Sequence, residues 1–138
     1  METRTNALLS IRPVISSAQL LPNMSAGEYF QNATLRPVIK FQNDLLIASL
    51  RNYITKHKNV FYELTLERRQ LYIDNAINKD IKFRNALKGI IIGQFTTKEY
   101  TSYIKNSSAL NKRMMNLVKQ RLQDQIQLFD MPNVLEAF

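Results

Sequence analysis

Between Val38 and Met131, apolar residues return at i, i+3, i+4 and i+7 and do not alternate, which is the mark of amphipathic helices. That stretch contains no proline, and Gly89 and Gly93 are its only glycines. The pattern predicts an all-α fold, a compact bundle of five or six helices with an extended N-terminal arm. A short helix opens at Ser25, where Ser-Ala-Gly-Glu has the form of a capping box: Ser25 meets a free amide and Glu28 reaches back. A longer helix starts at Thr34-Leu35-Arg36-Pro37, because a first turn tolerates proline. It sets Leu35, Val38, Ile39, Leu46, Leu50 and Tyr53 on one face and fades near Lys56-His57-Lys58-Asn59. A third helix covers about 65–78 with Leu66, Ile73 and Ile77 inward.

Asp80 punctuates or caps the next segment, 81–93, where Phe83, Leu87, Ile90 and Ile91 share a face and Ile81 and Ile92 oppose them. A helix apolar on two sides is expected at the centre of a bundle. Ala86, Gly89 and Gly93 form a small-residue strip that would let a neighbouring helix come close. Thr96-Thr97-Lys98-Glu99 is a second capping box, opening a helix with Tyr100, Tyr103 and Ile104 that Asn106-Ser107-Ser108 interrupts. The last helix, about 109–129, packs Leu110, Met114, Leu117, Val118, Leu122 and Phe129, with Met115 at the surface.

Three regions follow: an arm over 1–24, a helical domain over 25–130 and a tail over 131–138. The arm carries no acid after Glu2 and no sustained helical period, yet it holds Leu8, Leu9, Ile11, Val14, Ile15, Leu20 and Leu21. It is expected to wrap over its own core, or else to dock on another chain, including a second copy. Two internal echoes stand out. Residues 10–15 (SIRPVI) match 34–39 (TLRPVI), and 39–43 (IKFQN) resemble 81–85 (IKFRN); the second echo would suit a duplicated helix pair, and chance or reuse of a good helix start would suit both.

Charge changes this picture most. The formal net charge is +8, and 79–121 alone carries ten Lys or Arg against Asp80 and Glu99. Such concentration points to an anionic partner. Arg36, Lys40, Arg51 and Lys58 form a basic edge on the second long helix, Lys82, Arg84 and Lys88 scatter around 81–93, and Lys112, Arg113 and Lys119 share a face of the last helix with Asn116, Gln120, Gln123 and Gln127. These ten cations are the expected contacts of RNA or a ribonucleoprotein. The alternative is a protein–protein adaptor or homo-oligomer that uses the arm.

Catalytic chemistry has little to build on. The chain has no Cys and one His, so thiolate nucleophiles, disulfides and Cys-based metal sites are excluded, and no His-x-x-x-His or Glu-x-x-His grouping occurs. His57, at a helix end between two lysines, is expected as a partly buried structural residue. Glu63 and Glu67 favour a helix N-terminus more than they suggest an acid–base pair. No phosphate-cradling Gly loop and no Gly-x-Ser-x-Gly elbow appear. No cofactor or metal is expected, and an enzyme is the third reading. Without an export signal or a long apolar run, the expected location is cytoplasmic, away from membranes.

The segments Arg4-Thr-Asn-Ala-Leu-Leu-Ser-Ile-Arg-Pro-Val14, Leu35-Arg-Pro-Val-Ile-Lys40, Lys79-Asp-Ile-Lys-Phe-Arg-Asn-Ala-Leu-Lys-Gly89 and Ser107-Ser-Ala-Leu-Asn-Lys-Arg-Met-Met-Asn-Leu-Val118 resemble a small all-helical family of Bacteroidetes-type bacteria with no established function. The resemblance covers nearly the whole chain and implies a helical fold. Members of that family are often labelled glyoxalase, but the residues here oppose the label. Glyoxalase I-type enzymes use paired βαβββ units with His and Glu ligands, and the zinc hydrolase type needs a His cluster. The resemblance therefore implies no site residues.

Overall fold

The computed structural model describes residues 2–15 and 19–130. Seven helices run through them: α1 (Glu2–Ile11), α2 (26–41), α3 (Asn43–Lys56), α4 (Leu66–Lys79), α5 (Ile81–Ile92), α6 (Thr97–Ile104) and α7 (Ser107–Asp124). Single turns of 3-10 helix cover Val60–Glu63 and Ile126–Leu128. The all-α expectation holds, while the expected count of five or six is low and the arm is not wholly extended. No helix among the described residues is long and apolar enough to cross a membrane. The expected tail, 131–138, lies outside the described residues.

α2 begins where expected but does not stop. Ser25 accepts the Glu28 amide at 3.2 Å, and the helix then widens over Gln31–Leu35, where the Arg36 amide bonds to the Gln31 carbonyl five residues back. Proline 37 has no amide to give and its ring crowds the carbonyl four residues earlier, so the wide turn lets the chain carry it within a continuous helical path. The expected helix start at Thr34 is thus the middle of α2. The expected single face from Leu35 to Tyr53 is broken at Gln42, whose side-chain amide donates to the Ile90 carbonyl at 2.9 Å. Past the His57 cap of α3, Lys58 and Asn59 are both in the left-handed region (φ 64° and 59°).

Caps set the later boundaries. Thr65 accepts the Arg68 amide to start α4, Asp80 accepts the Phe83 amide to start α5, and Thr96 and Glu99 form both halves of a capping box at α6. The core gathers Leu46, Leu50, Ile54, Phe61, Ile73, Ile77, Leu87, Ile91, Met114, Leu122 and Phe129, all fully enclosed. α5 packs against α3, α4 and α7, which places it centrally, and α7 also meets α2, α4 and α6.

Several side chains depart from expectation. Leu66 and Ile81 are 64% and 71% exposed, because each is the first residue of its helix and lies beyond the packed turns. Met115 is as buried as Met114, since α7 has neighbours on three sides. Among the described residues, Gly89 has open space where a Cβ would stand and Ala86 is exposed, so no helix packs closely along the small-residue strip, though Arg4 of α1 reaches the Gly93 carbonyl. The last helix stops at Asp124 and not near 129, and Phe129 reaches the core from beyond a 3-10 turn. Neither echo repeats as structure: SIRPVI ends α1 while TLRPVI lies inside α2, and IKFQN straddles the Gln42 break while IKFRN opens α5.

The arm is helical over Glu2–Ile11, yet α1 buries none of these residues. Two arginines hold it to the body. Arg4 donates to the Phe95 and Gly93 carbonyls. Arg12 donates to both Glu99 oxygens at 2.6 and 2.9 Å and to the Gln94 carbonyl. Over these residues the arm packs on its own chain. Leu9, Ile11, Val14, Leu20 and Leu21 stay exposed.

Candidate nucleic-acid interface

α2 and α7 run side by side in the same direction. Arg113 Nη1 donates to Gln31 Oε1 at 3.0 Å at one end. Five to nine residues further along α2 and seven to twelve further along α7, Arg36, Lys40, Gln120, Arg121, Asp124 and Gln125 line a common cleft of about 490 Å³, floored by Ile39 and Leu117. At a rise of about 1.5 Å per residue the seam is on the order of 13 Å long. It presents four cations, several amides and one acid. Lys112, Asn116 and Gln120, spaced four apart and all exposed, continue the polar line along α7.

The seam is built by its own hydrogen bonds. Arg36 Nε donates to Asn32 Oδ1 at 3.0 Å, orienting the guanidinium along α2. Asn43, the first residue of α3, accepts from Arg121 Nε at 2.8 Å and from Gln125 Nε2 at 2.6 Å, and donates to Gln125 Oε1. Burial pushes Arg121 below the ordinary arginine range, and the Asp124 charge pulls it partly back. A cation stripped of some of its water and facing one acid gains more from an arriving anion than a fully hydrated one. Gly27 lets Arg113 lie close over α2, since a Cβ there would stand 3.1 Å from Arg113 Nε.

The ten sequence-derived cations divide. Arg36, Lys40 and Arg113 meet at the seam and Lys112 stands beside it. Lys119, expected to share their face, turns to α4 and pairs with Asp74 at 2.9 Å. Arg51 donates to the Leu128 carbonyl and lies over the Phe129 ring. Arg84 lies near the Ile77 carbonyl at 3.5 Å, Lys58 sits in the left-handed turn after α3, Lys82 borders a separate hollow with Tyr53, Tyr72 and Asp80, and Lys88 is half-buried on α5. Arg121 escaped sequence reasoning. Its position eight residues after Arg113, on the same side of α7, was the available signal.

Other chemistry is arranged for structure. Tyr53 is stacked between His57 and Phe83, with centroids at 4.1 and 4.3 Å, and its hydroxyl donates to Asp80 Oδ2 at 3.2 Å. Burial and the Asp80 carboxylate push Tyr53 up to about 12. The Phe83 amide, with the Tyr53 hydroxyl, holds Asp80 below the usual carboxylate range. His57 is exposed, not partly buried as expected, because it caps the open end of α3. Among the described residues no group of three His, Asp or Glu is placed to hold a metal ion. In comparisons with known proteins, the chain matches no family model, no curated protein and no solved structure.

Proposed function

We propose that this is a non-enzymatic helical protein that binds RNA, alone or within a ribonucleoprotein, along the seam between α2 and α7. The observation that carries the reading is the convergence of Arg36, Lys40 and Arg121 on one cleft, with Arg113 and Lys112 leading into it. Cations interleaved with amides suit a phosphodiester backbone. The cations supply charge without reading sequence, and the amides bond to sugars and phosphate oxygens. No tyrosine lines this cleft, so stacking platforms are not part of the site.

The test is the salt dependence of affinity. With four to five phosphates neutralised on a single strand, log Kobs should fall against log salt with a slope of about −3. Anisotropy of a labelled RNA that shows no binding at low salt, or an affinity flat across the salt range, overturns the reading. The adaptor reading draws on the exposed Leu9, Ile11, Val14, Leu20 and Leu21 of residues 1–24, with Val14 89% exposed. A light-scattering mass that rises with concentration would favour it.

A further inference from the structure

A second hollow, of about 860 Å³, opens beside the N-terminal half of α2, between the segment at 21–24, α6 and the first turn of α7. Its size falls in the usual range for small-molecule sites, roughly 300–1,000 Å³. Leu21, Pro22, Met24, Tyr29, Phe30 and Leu110 make an apolar wall. Polar groups gather at one side, where α6 contributes Lys98 and Ser102 and the residue capping its end is Lys105, at i, i+4 and i+7 on one face.

The electrostatics of that side are lopsided. Glu99 also borders the hollow, but its carboxylate is already taken by the Arg12 guanidinium, the Thr34 hydroxyl at 2.8 Å and the Thr96 amide at 2.8 Å. Lys98 and Lys105 are exposed and form no ion pair among the described residues. The two are about 10.5 Å apart along the axis, near enough for their flexible stems to converge on one head group. An apolar chamber with uncompensated positive charge at one rim is complementary to a molecule with an apolar body and a single anionic end.

We propose that this hollow binds a long-chain carboxylate, with the chain along Leu21, Met24, Phe30 and Leu110 and the carboxylate at Lys98 and Lys105. The site shares only Gly27 with the α2–α7 seam and none of its cations, so it stands or falls apart from RNA binding.

Calorimetric titration of the full chain with dodecanoate, below the concentration at which it self-associates, tests the assignment. The expected result is saturable binding of one molecule per chain, with dodecyltrimethylammonium bound more weakly and acetate not detectably. Lys98→Gln with Lys105→Gln should weaken dodecanoate about three- to ten-fold, as two partly exposed ion pairs supply, and should abolish the preference over the cationic amphiphile. The melting temperature of the double variant, whose changes are on the surface, should match the wild type. A filled chamber, Ala33→Phe, should remove dodecanoate binding. The proposal is overturned by equal affinity for the two head groups, by many molecules bound per chain, by no binding, or by a double variant that keeps the preference.

Discussion

Glu99 does more than any other side chain to join distant parts of the chain. It completes the α6 capping box, accepts the Thr34 hydroxyl and receives both prongs of Arg12, with side-chain exposures of 9% for Arg12 and 18% for Glu99. Burial alone would raise its pKa. The Arg12 guanidinium, the Thr96 amide and the Thr34 hydroxyl outweigh burial and hold it below the ordinary 4.5. A carboxylate with a lowered folded pKa contributes stability that is present above the unfolded value and lost as pH falls through the folded one. Wild-type stability should therefore decline below pH 4.5 partly through this group. Glu99→Gln should cost about 1.5–3 kcal/mol at pH 7 in urea melts and show a shallower acid decline. A variant as stable as wild type at pH 7 would mean the cluster is ornamental. Tyr72 is the converse case, since its hydroxyl is buried without a partner among the described residues. Tyr72→Phe removes an unpaired polar group and should leave stability equal or higher, by up to about 1 kcal/mol. A loss beyond that in thermal melts would reveal a partner for the hydroxyl.

At the scale of elements, the chain shows which features local physics makes legible. The caps at Ser25, Thr65, Asp80 and Thr96 stand in the sequence because each places a hydroxyl or carboxylate beside the free amides of a first turn. The helical period marks α4, α5 and α7 for the same local reason. What escaped depends on distant partners. α1 has no apolar face and is held by Arg4 and Arg12 bonding to residues more than 80 positions away, so periodicity had nothing to report. The passage of α2 through Pro37 rests on a widened turn that no composition signals. The stop after Lys56 is legible as a cluster of polar residues but not as the left-handed pair Lys58 and Asn59. A side chain at Lys58 pays for that conformation, so Lys58→Gly should raise stability by about 0.5–1 kcal/mol in chemical melts. A destabilised variant would show that the Lys58 side chain makes a compensating contact. Since Lys58 lies away from the α2–α7 seam, RNA affinity should be almost unchanged by the same substitution.

At the scale of the whole molecule, net charge raises the proposal of an anionic partner, and packing decides which cations stand together. The excess over 79–121 is not one patch. α5 takes Lys82 to a separate hollow beside Tyr53, Tyr72 and Asp80 and half-buries Arg84 and Lys88, and α4 claims Lys119 through Asp74. Arg36 and Lys40, outside that segment, become central because α2 lies along α7. A one-dimensional charge count cannot foresee this, since it depends on which helices are neighbours. The candidate site was thus half legible: its residue types and four of its five cations were apparent, but their meeting point and Arg121 were not.

The most direct measurement compares two charge-matched triple variants in the RNA anisotropy titration over a range of salt. Arg36→Gln, Lys40→Gln and Lys112→Gln remove charge at the seam; Lys58→Gln, Lys79→Gln and Lys82→Gln remove as much elsewhere. The account predicts that the seam variant loses affinity steeply and that its salt slope becomes shallower by about 2, near 0.7 per phosphate contact, while the other variant keeps the wild-type slope. Equal losses from the two variants would show that only net charge matters and would contradict a binding seam between α2 and α7.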